Sequence, residues 1–88
     1  MIELLASAIF IRAGGLLLRV DDQPCKLEAV AAVLSPDAFD QFRSGMVYFR
    51  GMTLRMCWAR SANGIVIVDE EGDAGDFELR SLKISHGA

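Results

Sequence analysis

The stretch Met46 to Val68, reading MVYFRGMTLRMCWARSANGIVIV, limits the fold more than any other part of the chain. Between two turn signals, Met52, Leu54, Met56 and Trp58 recur at every second residue. Thr53, Arg55, Cys57 and Ala59 fill the alternate positions. Period two is a strand with one apolar and one mixed face. Asn63-Gly64 is the stronger turn signal, because both residues accept positive φ at low cost. Arg50-Gly51 is the weaker, since only Gly51 suits positive φ. The run Ile65 to Val68 is β-branched throughout, as in a strand buried on both faces. An antiparallel meander of Met46–Arg50, Met52–Arg60 and Ile65–Asp69 is therefore expected.

Residues 2–11 read either as a short helix or as a strand. The Ala-containing first half favours helix and Ile9-Phe10-Ile11 favours strand; a strand is preferred for the second half. Leu16 to Val20 is a strand candidate, and Asp21-Asp22-Gln23-Pro24 carries turn chemistry. Cys25 to Val30 then reads as a returning strand, with a helix over Lys26–Leu34 as the competing reading. Ser35-Pro36-Asp37 is the clearest helix start: a capping hydroxyl, a proline suited to the first turn, and an acid at the positive dipole end. Phe39 and Phe42 would anchor that helix of about two turns to the core, with Gly45 beyond its end. Phe77 to Ile84 forms a last strand. The whole, residues 1–88, reads as a single α+β domain: a small β-rich meander or barrel with one short helix.

Of its residues, 52% are hydrophobic, high for 88 residues, and no apolar run reaches the roughly 20 residues that a spanning helix needs. No secretory signal is clear in the first residues. The expectation is a cytoplasmic protein with more apolar surface than a monomer hides, covered by a homo-oligomer or a protein partner. A net charge of −3 argues against general nucleic-acid binding, though not against a local basic patch. Cys25 and Cys57 are expected as two reduced, half-buried thiols, with a single disulfide as the minority reading, and no spacing suggests zinc.

Three sites merit weighing. Asp69, Glu71 and Asp73 match the first, third and fifth positions of a calcium loop, but Ala74 and Arg80 stand where Gly and Glu are required, so no metal site is assigned. Arg43, Arg50, Arg55 and Arg60 cluster near Trp58. Arg50, Trp58 and Arg60 are the candidate nucleotide- or anion-binding set. Met52, Leu54 and Met56 are the candidate interaction surface. His86 is the sole histidine and is expected in a frayed tail. No nucleophile–base pair or glycine-rich phosphate loop is visible, so no catalytic residue and no cofactor is assigned.

The segment SPDAF, a hairpin, and then LRMCWARSANGIVIV resembles the second half of PilZ domains, small β-barrels that often close with a Trp-bearing strand, a polar turn and an apolar strand begun by glycine. Leu16 to Val30 would then stand for an earlier barrel hairpin. The R-x-x-x-R and D/N-x-S-x-x-G motifs with which PilZ domains hold cyclic di-GMP are absent. The resemblance therefore implies a member without that ligand, working through a protein partner. The leading expectation is a non-enzymatic interaction or regulatory module acting through an apolar β surface.

Overall fold

In the computed structural model, residues 9–86 are described. Among them, seven strands form one antiparallel sheet: Ile9–Ala13 (β1), Leu16–Pro24 (β2), Arg43–Phe49 (β3), Met52–Arg60 (β4), Gly64–Asp69 (β5), Ala74–Glu78 (β6) and Leu82–His86 (β7). Their spatial order is β6-β5-β4-β3-β2-β1-β7. Six strands follow as a meander, and the last crosses back to pair with the first. The sheet curls into a half-barrel whose two edges, β6 and β7, do not pair with each other. Two short helices, Glu28–Val33 (α1) and Pro36–Phe39 (α2), lie in the β2–β3 connection. A single 3₁₀ turn, Leu79–Ser81, links β6 to β7. The architecture is mostly β, so the expected α+β balance with one helix is corrected on both counts.

Alternation along the strands gives two hydrophobic clusters on opposite faces. The concave face gathers Ile11, Ala13, Leu18, Val20, Val47, Met56, Ile65 and Ile67. The registers agree, since Ile11 pairs with Leu18, Leu18 with Val47 and Trp58 with Ile67. The convex face of β4 and β5 presents Cys57, Ala59 and Val68, and the helical segment covers them with Cys25, Val30 and Phe42. The run Ile65–Val68 is therefore buried on both sides, as its β-branched composition predicts.

The meander takes the expected course, with β3 beginning three residues earlier. The last expected strand is two strands, since the 3₁₀ turn at Leu79 breaks Phe77–Ile84. Of residues 2–11, 2–8 lie outside the described residues, and Ile9 to Ile11 fall in the strand β1. The open choice between strand and helix after Cys25 is resolved as helix. That helix has no side-chain cap and only six residues, so burial of Val30 holds it rather than propensity. Ser35 caps α2 as its sequence suggests, its Oγ accepting from the Ala38 N–H at 3.3 Å. The helix lasts one turn rather than two, and Phe42 beyond it is buried.

The three turn signals are met differently. Asp21–Gln23 makes no hairpin. It is an irregularity inside β2, where the register to β3 shifts between Val20 and Pro24. The local chemistry is nevertheless that of an Asx turn, with Asp21 Oδ1 accepting from the Gln23 N–H at 2.9 Å. Arg50-Gly51 is the tight two-residue turn, with φ of +51° and +77°. Asn63 ends the β4–β5 loop and Gly64 opens β5, neither with positive φ. Gly64 serves another need, because a Cβ there would overlap the Phe77 carbonyl oxygen.

Cys25 and Cys57 are joined by a disulfide, with Cα atoms 5.6 Å apart. This corrects the expectation of two thiols. The chain leaving β2 at Pro24 runs over the convex face, where Cys57 projects, and the bond ties the helical segment to β4.

Two stability tests follow from these assignments. Replacing both cysteines by Ser, or reducing the protein, should lower the unfolding free energy by about 3–4 kcal/mol, the chain-entropy value for a cross-link over 32 residues. Urea melts with and without reductant measure it, and coincident midpoints would rule out the cross-link. Arg50→Asn should raise the midpoint. Relief of left-handed strain is worth about 1 kcal/mol, against about 0.5 kcal/mol lost from the exposed stacking of Arg50 on Phe49.

Candidate binding groove

Because β6 and β7 diverge, the concave face opens into a groove of about 1020 Å³. Its floor is apolar, with Ile11, Val20 and Ile65 from three strands. Leu79 from the 3₁₀ turn and Ile84 from β7 form its rim, and they are 60% and 53% exposed. Arg60, Arg80 and Glu78 add charge at the same mouth. An apolar floor with a few polar groups at the rim is the usual make-up of a binding cleft.

Trp58 reaches the groove because its parity on β4 matches that of Met56 in the core. Its indole N–H donates to the carbonyls of Ser44 at 3.0 Å and Asp21 at 3.2 Å. The Asp21 end of β2 is held in turn, since Ser44 Oγ bonds Asp21 Oδ1. The ring is thus fixed by the β2 irregularity, and its polar atom is already satisfied. Arg60 lies two residues on, exposed, at the end of β4. Among the described residues it makes no ion pair, whereas Arg80 lies 3.7 Å from Glu78.

Arg50 does not join them. It occupies the β3–β4 turn, and β4 runs nine residues from Met52 to Arg60, about 26 Å at strand rise. Of the candidate anion set, the structure brings Trp58 and Arg60 together and leaves Arg50 at the far end of the barrel.

The candidate interaction residues also separate. Met52 is 53% exposed beside the turn, Leu54 is half-buried against the concave core, and Met56 is 1% exposed at its centre. Period two assigned them correctly to one face. Curvature then buried the middle of that face, so Met56 is corrected from surface to core. Leu79, Arg80 and Ile84 were missed. Nothing in the composition of Glu78 to Ser81 marks the 3₁₀ break that lifts them to the rim.

Asp69, Glu71 and Asp73 bring carboxylate oxygens within 4.8 Å of one another. Their geometry is that of a turn: Asp69 Oδ1 accepts from the N–H groups of Glu71 and Asp73 at 2.9 and 3.1 Å. His86 lies not in a frayed tail but in β7, its backbone paired with Ile9. With both cysteines bonded, no free thiol is present among the described residues. No described helix is long and apolar enough to cross a membrane. No family model, curated protein or solved structure matches the chain.

Proposed function

We propose that the protein is a non-enzymatic interaction module whose contact surface is the open groove of the half-barrel. The observation that carries this is the exposed apolar rim, Leu79 and Ile84, above an apolar floor between two strand edges that no other described strand pairs with. A free edge offers backbone N–H and C=O groups to an added strand, and the groove offers apolar pockets to its alternate side chains. A second copy of the chain is the simplest occupant, and it would hide the apolar surface that composition leaves over. The PilZ-like resemblance, lacking the cyclic di-GMP motifs, supports the same class of partner-binding function.

Light scattering on a dilution series tests this directly. The expected result is a species of twice 9.6 kDa that becomes monomeric in the double variant Leu79→Asp, Ile84→Asp. A dimer that survives both substitutions would place the contact elsewhere. A monomeric wild type that also fails to enhance anilinonaphthalene sulfonate fluorescence would remove the groove as a contact surface.

One observation favours a second reading, a small nucleotide or anion bound by the same groove: Trp58 and Arg60 both line it. A guanidinium beside an aromatic ring suits a phosphate attached to a planar group. Trp58 is the sole tryptophan, so its emission reports on the groove. Titration with ATP or GTP should quench it saturably, and Arg60→Gln should weaken the apparent affinity about tenfold. Unchanged emission at millimolar nucleotide would exclude this reading.

A further inference from the structure

The opposite side of the same sheet carries a second surface. The helices cover the convex face only over β4 and β5. Across β7, β1, β2, β3 and the first half of β4 no other described element covers that face. Register orders its side chains into rows. In one row Phe10 stands beside Arg19, Arg19 beside Met46, and Met46 beside Arg55. In the next, Lys83 stands beside Arg12, and Tyr48 lies two strands further on, beyond Leu17. Arg12, Arg19, Arg55 and Lys83 are exposed, and Phe10 and Tyr48 are half-buried.

Among the described residues its charge is mainly positive, for a reason visible in the chain. No Asp or Glu falls between Glu3 and Asp21, or between Asp40 and Asp69. Among the described residues the acids instead occupy the end of β2, the helical segment, and the β5–β6 region. Two reach its margins: Glu70 lies 3.6 Å from Arg55, and Asp21 Oδ1 accepts from Ser44 Oγ. Arg12 and Lys83 are direct cross-strand partners. Like charges opposed in this way destabilise a sheet, and an anion laid across them would relieve the repulsion. The net charge of −3 weakens long-range attraction, but it leaves the local excess of positive charge at Arg12, Arg19 and Lys83.

We infer that this convex face binds single-stranded nucleic acid without sequence preference, with Arg12, Arg19 and Lys83 on phosphates and Tyr48 and Phe10 as stacking platforms. Cations interleaved with aromatic rings on an open sheet are the elements of such sites. The alternative polyanion, an acidic lipid surface, is less well matched. The aromatic groups are half-buried, so they offer little apolar bulk for insertion into lipid.

The test is fluorescence anisotropy with labelled 20-mers of oligothymidine and oligouridine, on the full chain. Three phosphate contacts predict a log–log salt slope of about −2, hence roughly twentyfold weaker binding between about 50 and 200 mM salt. The double variant Arg12→Gln, Arg19→Gln should bind at least about tenfold more weakly and lose about two-thirds of that slope. Tyr48→Leu should cost about fivefold or more with the slope unchanged, since stacking is not ionic. Lys26→Gln removes one positive charge from the helical side and should leave both quantities as they are. Absence of binding at 50 mM salt, or equal binding by the double variant, overturns the inference. So does equal affinity for a duplex of the same length with Tyr48→Leu silent, or binding to phosphatidylserine vesicles but not to oligonucleotides.

Discussion

The curl of the sheet depends on the absence of a side chain at Gly45. It sits in the middle of β3, buried, with Val20 on one side and Met56 on the other. A Cβ there would lie 2.6 Å from the Arg19 carbonyl and 2.8 Å from the Met56 Cε, distances that side-chain carbons do not tolerate. Glycine inside a strand marks a tight bend or a close approach of backbones, and here it does both. The register shift of β2 begins at its partner, Val20. The bulged segment then turns Asp21 toward Ser44 and supplies one of the two carbonyls that hold the Trp58 indole. A flat sheet would have neither the concave core nor the groove above it.

Seen from that bend, the two faces of the sheet divide the chemistry of the chain. Curvature brings the apolar concave residues of β1, β2, β4 and β5 within reach of one another and buries most of them. At the unclosed margin the same curvature fails to finish the job, leaving Leu79 and Ile84 in water. On the convex side curvature spreads side chains apart. Long cationic residues suit that geometry, because their stems lie on the sheet while their heads reach solvent. The helical segment takes the one convex region that is apolar, over Cys57, Ala59 and Val68. Covering and exposure thus follow the alternation already present in each strand.

That alternation explains how much of the molecule was legible in the sequence. The meander of β3, β4 and β5 was readable because each strand shows its period, or its unbroken β-branched run, within a few residues. The cap at Ser35 was readable for the same reason, since its cause is local. What failed was non-local. Asp21–Pro24 has the composition of a turn, and only pairing with β3 keeps it extended. Arg50 is a poor choice for positive φ, yet seven paired positions between β3 and β4 impose the tight turn on it. Met56 and Met52 share a face in sequence, and only the curl decides that one is core and the other exposed. The groove was legible through Trp58 and Arg60 and hidden at its rim, where β7 arrives from the far end of the chain.

The disulfide bears on where such a molecule can work. Its two sulfurs lie between the sheet and the helical segment, with Cys25 and Cys57 both buried. Neither helix could persist alone at six and four residues, so the cover depends on what attaches it to the sheet. Val30, Phe42 and the cross-link are that attachment. The expectation of a cytoplasmic protein rested on the lack of a clear secretory signal. A bond that secures a marginal layer in a small domain is worth most in an oxidising compartment, where it persists. In a reducing compartment the same pair would pack as thiols, and the cover over β4 and β5 would rest on Val30 and Phe42 alone. The groove and the basic face would feel that change little, since neither includes a residue of the helical segment.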